Sequence, residues 1–290
     1  MNKVIENSNK AVIDINDSFH HSVQVLKQDN IGNRFMQKGN FESYIEYMIK
    51  SHFQSVKIAV DGGTNYGQFA LIMAHNIAPE GKVLAYEINP DTMNCVKTSI
   101  LLNGYENILE VFPYALGNFN GKGKIMLHKH DSYRSFLERD HDTTNYNNEI
   151  HNTTEYSILN IDVIRLDEHV YSKTGHHKVQ FMRLDIEGAE CEALAGASKI
   201  IDHSPEIIVS IEWQKTLISN FVTHSTNYYQ YSKECLAILL NKEFKFFEFK
   251  VHNQDIKYTE LNPYYIIDQD VIEFTASQNN IYLVEEYHDL

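Results

Sequence analysis

The sequence is poor in cysteine and contains no long apolar run. Its three cysteines, Cys95, Cys191 and Cys235, are odd in number and widely separated, so they predict neither a disulfide framework nor a metal knuckle. We interpret them as buried thiols. The longest apolar runs, Phe69–Ala74 and Cys235–Leu240, are six residues each, whereas a membrane-spanning helix needs about 20. The sequence therefore predicts no membrane span.

Basic residues are also scarce. The chain has 25 Lys and Arg against 39 Asp and Glu, a formal net charge of −14 at pH 7. Such a surface repels phosphate groups, so we expect neither nucleic acid nor an anionic membrane as a partner. Residues 1–17 lack the basic start and apolar core of a secretory signal. A cytoplasmic location is the resulting prediction.

What the sequence does contain is typical of a folded α/β domain. Hydrophobic residues make up 43% of the 290 residues and charged residues 22%. From Val56 onward, short apolar runs alternate with longer helical patterns, which favours a doubly wound, mainly parallel sheet of seven strands. Residues 1–50 are interpreted as an N-terminal helical extension that ends in the amphipathic segment Phe41–Ile49, and residues 51–290 as the main domain.

The predicted elements follow from apolar periodicity and from turn residues. The strands are predicted at Val56–Asp61, Val83–Glu87, Ile108–Pro113, Val179–Asp185, Glu206–Glu212, Phe244–Val251 and Ile281–Glu285. The helices are predicted at Tyr66–Asn76, Thr92–Asn103, Glu190–Ile201 and Tyr229–Leu240. Residues 117–179 form a long insertion that includes the His- and Asn-rich segment His128–Asn152, and we assign this insertion to substrate binding because long loops in compact domains are often functional.

A candidate ligand-binding turn joins the first predicted strand to the first helix. Gly63, Asn65 and Gly67 lie at this turn, where a backbone without Cβ can approach a ligand and a helix N-terminus offers free amides. For two glycines alone, an ordinary tight turn is the favoured explanation. Glu87, however, ends the second strand twenty positions after Gly67, where a carboxylate can bind ribose hydroxyls. These features suit either NAD or S-adenosylmethionine.

Two residues favour S-adenosylmethionine over a dinucleotide. Position 64 is Thr where a dinucleotide turn prefers Gly, and Asp61 stands directly before the turn. A carboxylate there disfavours a pyrophosphate and favours the cationic methionine portion of S-adenosylmethionine, by direct contact or through water.

The sequence resembles the FkbM-type methyltransferases between about Phe41 and Trp213. The matching segments are Val60–Phe69, Val83–Pro90, Asn103, Pro113–Gly117, Val163–Glu168, Phe181–Glu190 and Glu212. The resemblance implies S-adenosylmethionine as cofactor and O-methylation of a small-molecule or saccharide acceptor, and it suggests that Tyr114 and Ala115 contact the adenine. Thr64 and Tyr66 depart from the Ala and Ile that are typical of the family. An N-methyltransferase, another nucleotide-dependent enzyme and a non-catalytic cofactor-binding module stay open as alternatives.

The candidate catalytic residues are acids at the ends of two predicted strands. Asp185 ends the fourth strand and Glu212 the fifth, at the sheet edge where doubly wound folds bind ligands. We predict that Asp185 accepts the proton of the acceptor and also borders the cofactor, while Glu212 binds acceptor hydroxyls. Glu187 and Glu190 follow Asp185 in the turn and in the first helical residues. They are either further acids of the site or helix caps.

Aromatic and histidine residues near these segments have more ordinary interpretations. A strand-end aromatic such as Trp213 more often belongs to the core than to a sugar site. The segment His128–Asp131 and the pair His176–His177 lack the supporting ligand spacing of a metal site, so we predict no metal.

Overall fold

The computed structural model describes residues 4–6, 9–15, 17–39, 43–77, 80–132, 136–138, 156–219, 227–252 and 255–278. Its strands are β1 Val4–Glu6, β2 Lys10–Asp14, β3 Ser22–Leu26, β4 Ile58–Gly62, β5 Lys82–Tyr86, β6 Leu109–Phe112, β7 Tyr114–Leu116, β8 Gly121–His128, β9 Phe136–Glu138, β10 Tyr156–Ile164, β11 Phe181–Leu184, β12 Ile208–Gln214, β13 Lys245–His252, β14 Asp255–Leu261 and β15 Val271–Ser277. Its α-helices are α1 Asn30–Lys38, α2 Ser43–His52, α3 Gln68–Asn76, α4 Pro90–Asn103, α5 Leu166–Thr174, α6 Glu190–Gly196, α7 Ser198–His203, α8 Lys215–Ser219, α9 Tyr228–Leu240 and α10 Pro263–Asp268.

The central sheet has eight strands in the order β14-β13-β15-β12-β11-β4-β5-β6. The five strands from β12 to β6 are parallel to their neighbours, whereas the pairs β12–β15, β15–β13 and β13–β14 are antiparallel. Within the residues that the structure describes, the sheet is therefore mixed and has eight strands, which corrects the prediction of a mainly parallel sheet of seven. The sequence pattern did not predict β14, which lies at the edge of the sheet, or β15. The predicted strand Ile281–Glu285 lies outside the described residues.

Helices cover both faces of this sheet, as the doubly wound prediction requires. Alternate residues of each strand enter different cores: Val60 packs with α5, α6, α7 and α9, and Ala59 packs with α2, α3 and α4. Asn89 caps the N-terminus of α4 because its side chain accepts the Asp91 N–H, and Pro90 is the first residue of the helix. The carboxyl ends of β4, β5, β11 and β12 consequently meet along one edge.

The N-terminal segment is not purely helical, and this prediction is wrong for residues 10–26. Strands β1, β2 and β3 form a separate antiparallel sheet, and only then do α1 and α2 follow. In β2 and β3 every second side chain is buried, which is the pattern of a strand with one buried face. The many polar residues of the segment make this alternation hard to detect in the sequence. The division of the chain at residue 50 stays a prediction.

The insertion between β6 and β11 is more regular than a loop. It contributes a four-stranded sheet in the order β7-β10-β8-β9, followed by helix α5. Residues 139–155, which include most of the His- and Asn-rich segment, lie outside the described residues. The expectation of one long irregular loop is therefore corrected for residues 121–128 and 156–174.

Two of the three cysteines are paired. Cys191 on α6 and Cys235 on α9 form a disulfide with their Cα atoms 5.1 Å apart, so the interpretation as buried thiols holds only for Cys95. The contact between the two helices brings together residues 44 positions apart, which sequence spacing cannot show.

The predicted helix Glu190–Ile201 is divided at Ala197 into α6 and α7. None of the described helices has both the length and the apolar character needed to cross a bilayer.

Candidate functional site

The turn after β4 has a conformation that requires glycine at two positions. Gly63 has φ +79°, and a Cβ there would lie 1.8 Å from the carbonyl oxygen of Asp185. Gly67 has φ +83° and caps the N-terminus of α3. Gly63 thus allows the turn to lie against the end of β11, and Gly67 allows the chain to enter α3 beside Val96.

Glu87, directly after β5, is hydrogen-bonded to this turn. Its two carboxylate oxygens accept the backbone N–H groups of Asn65 and Asn89, each at 2.8 Å. Burial raises the pKa of Glu87 to about 7, although these two hydrogen bonds favour the ionised form. Glu87 is therefore a buried carboxyl group that changes charge near neutral pH.

A cavity of about 240 Å³ opens between the turn and the strand ends. It is lined by most of the predicted site residues: Gly63, Asn65, Glu87, Tyr114, Ala115, Asp185 and Glu212. Gly67 and Asp61 are not among the lining residues. The Asp61 side chain is fully buried, so the direct ligand contact considered for it finds no support in the structure.

Asp61 instead belongs to a buried ion-pair chain. The Arg183 guanidinium on β11 lies 3.5 Å from Asp61 Oδ1 and 2.5 Å from Asp185 Oδ2, and its centre is 4.6 Å from the Phe69 ring. Burial raises the pKa of Asp61, and the charge of Arg183 opposes that rise. Arg183 therefore connects an acid beneath the cavity to the acid at its edge.

Asp185, Glu187 and Glu212 form an acidic cluster at this edge. Ligand oxygens of the three carboxylates lie within 4.8 Å of one another. Burial, followed by the negative charge of Asp185, raises the pKa of Glu212 well above its ordinary value, and the Gln214 Nε2 donates to Glu212 Oε2 at 2.7 Å. Glu212 thus holds a proton at neutral pH. The same three carboxylates could ligate a divalent cation, so the absence of a metal stays a prediction.

Glu190 has the structural role that was considered for it. Its Oε1 accepts the backbone N–H groups of Ile186 at 3.0 Å and Gly188 at 3.2 Å, within the turn after β11. Trp213 is fully buried, and its Nε1 donates to the Tyr228 hydroxyl, so it belongs to the core. His128 Nδ1 accepts the N–H groups of His130 and Asp131 and stabilises a turn.

Sequence reasoning missed several residues of the cavity wall. Arg183 lies inside the segment Phe181–Glu190 that resembles the family, but the sequence does not predict it as a site residue. Ile31, Arg34 and Phe35 come from α1, and Ser132 comes from the loop after β8. The sequence around these residues does not indicate a ligand site, because only the folded structure brings the N-terminal segment and the insertion to this edge of the sheet.

The chain is similar to one known family over well over half of its length. The model of the methyltransferase FkbM domain matches residues 61–248. No curated protein matches the chain.

Solved structures share limited similarity with the chain. The methyltransferase FkbM from Methylobacillus flagellatus is 14% identical with a TM-score of 0.43; the match covers 77% of this chain but only 43% of that protein. The O-methyltransferase TomG from Streptomyces achromogenes, solved with S-adenosylmethionine, is 10% identical with a TM-score of 0.45 and 84% of each chain covered. An O-methyltransferase from Bacillus cereus, solved with S-adenosylhomocysteine, is 9% identical with a TM-score of 0.45 and 82% of each chain covered. None of these similarities assigns a role to an individual residue.

Proposed function

Because the chain belongs to the FkbM family of methyltransferases and its cofactor is S-adenosylmethionine, we propose that it methylates a hydroxyl group of a sugar or another polar small molecule. The observation that carries this proposal is the arrangement of Asp185 and Glu212 at one edge of the cavity that Glu87 also lines. The cavity thus combines a carboxylate suited to ribose with two acids suited to an acceptor.

The described residues fit this cofactor chemically. Glu87 can accept hydrogen bonds from ribose hydroxyls, and Tyr114 and Ala115 border the same cavity as the proposed adenine contacts. Asn65 Oδ1 is buried and has no hydrogen-bond partner within the described structure, so it offers an acceptor to a ligand donor. The carboxylates of Asp185 and Glu187 offset the positive charges of a sulfonium and an ammonium group.

The chemistry assigned to this chain is the positioning of a hydroxyl group and the removal of its proton. Bound S-adenosylmethionine supplies an electrophilic methyl group. Asp185 accepts the acceptor's proton as the new bond forms, and the Arg183 ion pair holds its carboxylate in place. Glu212, being protonated, donates a hydrogen bond to an acceptor oxygen instead of acting as a second base.

The insertion forms the acceptor side of the pocket, and the acceptor is a small molecule and not a nucleic acid. A cytoplasmic location stays a prediction, and the Cys191–Cys235 disulfide counts against it, because such bonds are rare in reducing compartments.

N-methylation is the second candidate, and the acidic cluster favours it because the carboxylates of Asp185 and Glu187 attract a cationic amine. Release of S-adenosylhomocysteine should be measured with hydroxyl and amine acceptors, and the products analysed by mass spectrometry. Methylation of amines alone would refute O-methylation, and the absence of turnover with every acceptor class would favour a binding module.

Asp185→Asn should lower turnover about 10²- to 10⁴-fold, because a positioned base contributes about that much, while S-adenosylhomocysteine affinity changes little. Asp202→Asn, at an exposed surface acid, is the matched control. A chelator should have no effect. If EDTA abolishes turnover and a divalent cation restores it, Asp185, Glu187 and Glu212 are metal ligands and the base assignment is wrong.

A further inference from the structure

Two exposed aromatic side chains lie together beyond the cavity, on the helices next to the carboxyl end of β12. Tyr229 on α9 and Tyr264 on α10 are 45% and 58% exposed in the described structure. Single exposed apolar residues are ordinary on a protein surface, whereas a group of them beside a ligand cavity indicates a binding surface. The position of these rings relative to the cavity therefore decides what they can bind.

Two contacts between the helices hold the tyrosines side by side. The Tyr229 hydroxyl donates to Asp268, and the Lys233 ammonium group lies 5.3 Å from the centroid of the Tyr264 ring. Tyr229 and Lys233 are four residues apart on α9, and Tyr264 and Asp268 are four residues apart on α10, so each pair shares one helix face. These four residues form what we call the tyrosine patch.

Hydrogen bonds fasten both helices to β12, the strand that carries an acid of the cavity. The Trp213 Nε1 donates to the Tyr228 hydroxyl at 3.0 Å, and this hydroxyl donates to the Ile267 carbonyl oxygen, also at 3.0 Å. Lys215, directly after β12, donates its backbone N–H to the Asp270 carbonyl oxygen at 2.9 Å. The tyrosine patch is therefore held at a fixed position relative to the acidic cluster.

The tyrosine patch lies close enough to the cavity for one ligand to reach both. Gln214 lines the cavity, and Val271 of β15 is its register partner, so their side chains lie on one face of the sheet. Asp268 of the patch precedes Val271 by three positions. Because consecutive Cα atoms are about 3.8 Å apart and paired ones about 5 Å apart, the Asp268 Cα lies within roughly 16 Å of the Gln214 Cα. A ligand that extends from the cavity by a few sugar units would contact the tyrosines.

The chemistry of the tyrosine patch suits a neutral saccharide. Its rings present flat apolar faces against which the C–H groups of a sugar ring can pack, while Asp268 and Lys233 supply an acceptor and a donor for sugar hydroxyls. The patch carries one charge of each sign and the whole chain −14, which disfavours an anionic polymer. A stable protein interface would need a larger apolar surface than two tyrosine rings provide.

We propose that the tyrosine patch is an extended acceptor subsite, which binds sugar units next to the one that is methylated, and that the acceptor is a neutral oligosaccharide. This inference rests on the proposed function, because it presupposes a saccharide in the cavity. Only an acceptor of more than one unit contacts the tyrosine rings. Affinity for the acceptor therefore increases with its length.

The test measures saccharide affinity against chain length. Protein saturated with S-adenosylhomocysteine is applied to an array of neutral glycans that holds monosaccharides and their oligomers of increasing length, and calorimetry then gives dissociation constants for the series that binds. Tyr229→Ala and Tyr264→Ala should each weaken oligosaccharide binding roughly two- to tenfold, the loss of one aromatic contact, and leave S-adenosylhomocysteine affinity unchanged. Tyr264→Phe should retain binding because it keeps the ring.

Tyr171→Ala is the matched control. Tyr171 is also exposed, but its ring contacts His177, which precedes β11 and so lies toward the opposite edge of the sheet. Oligosaccharide affinity that does not increase with length, or that Tyr264→Ala and Tyr171→Ala change equally, would overturn the subsite.

Two further measurements separate this proposal from its alternatives. Dimerisation in sedimentation experiments that Tyr264→Ala abolishes would assign the tyrosine patch to a second copy of the chain and overturn the subsite. Release of S-adenosylhomocysteine at equal kcat/KM with mono- and oligosaccharides would also overturn the subsite but support the proposed function. Release with amine acceptors alone would overturn both.

Discussion

Cofactor affinity should rise with pH across the neutral range, because ribose binding requires the ionised form of Glu87. This side chain lines the cavity, and its burial raises its pKa to about 7. Two backbone N–H groups, from Asn65 and Asn89, already occupy its oxygens, so protonation would also disturb the turn that carries the cofactor site. Affinity and ionisation of Glu87 are therefore linked.

The size of the effect follows from the population of the competent form. With a pKa of about 7, Glu87 is about 9% ionised at pH 6 and about 91% ionised at pH 8, and apparent affinity scales with this fraction. S-adenosylhomocysteine should therefore bind about tenfold more tightly at pH 8 than at pH 6. Glu212 stays protonated over this interval, since its pKa is raised well above it.

Calorimetric titrations with S-adenosylhomocysteine at pH 6, 7 and 8 would measure this dependence. At pH 8, Glu87→Gln should bind S-adenosylhomocysteine about 10- to 100-fold more weakly than the unmodified protein does, because charge-assisted hydrogen bonds are lost. The pH dependence of its affinity should reflect only the titration of the ligand and of other protein groups. Denaturant unfolding of the variant should show that it is folded. If the unmodified protein and Glu87→Gln have parallel profiles, Glu87 does not control cofactor binding.

Three further outcomes are expected. Glu190 is fully buried and its pKa is raised to about 7, so near neutral pH the native state retains a proton that the unfolded state has lost. Between pH 5 and pH 8 the unfolding free energy of the protein should therefore fall by about 2 to 3 kcal/mol relative to that of Glu190→Gln, as measured by denaturant unfolding. Gly63→Ala should destabilise the protein by at least about 2 kcal/mol more than Gly104→Ala, since both have positive φ but only Gly63 lacks space for a Cβ. Shortening the chain within 139–152 should lower turnover and spare S-adenosylhomocysteine affinity; equal loss of both would indicate a structural role.

The parallel half of the fold was predictable because its signals are local. Buried parallel strands such as β4 and β5 are continuous apolar runs, and Asn89 with Pro90 marks the start of α4 within two residues of the prediction. The N-terminal strands β2 and β3 were missed because their burial alternates and half of each strand is polar or partly exposed. Periodicity over five residues cannot distinguish such a strand from a polar helix.

The candidate site was predictable where a residue's chemistry matched its place at a strand end. Glu87, Asp185 and Glu212 each follow an apolar run, and the parallel sheet brings those ends to one edge. Arg34 and Ser132 could not be found in this way, because tertiary packing of separate segments places them at the cavity. The disulfide partners Cys191 and Cys235 likewise meet only through the packing of two helices.

The ion-pair chain of Asp61, Arg183 and Asp185 gives Asp61 a role different from the predicted ligand contact. A buried guanidinium needs anionic partners, and Asp61 provides one beneath the cavity while Asp185 provides the other at its edge. Pairing with Arg183 fixes the orientation of the Asp185 carboxylate. Methyl transfer from a sulfonium depends mainly on alignment of the reacting groups, with proton removal as a smaller contribution. An oriented carboxylate therefore suits this reaction better than a freely rotating one would.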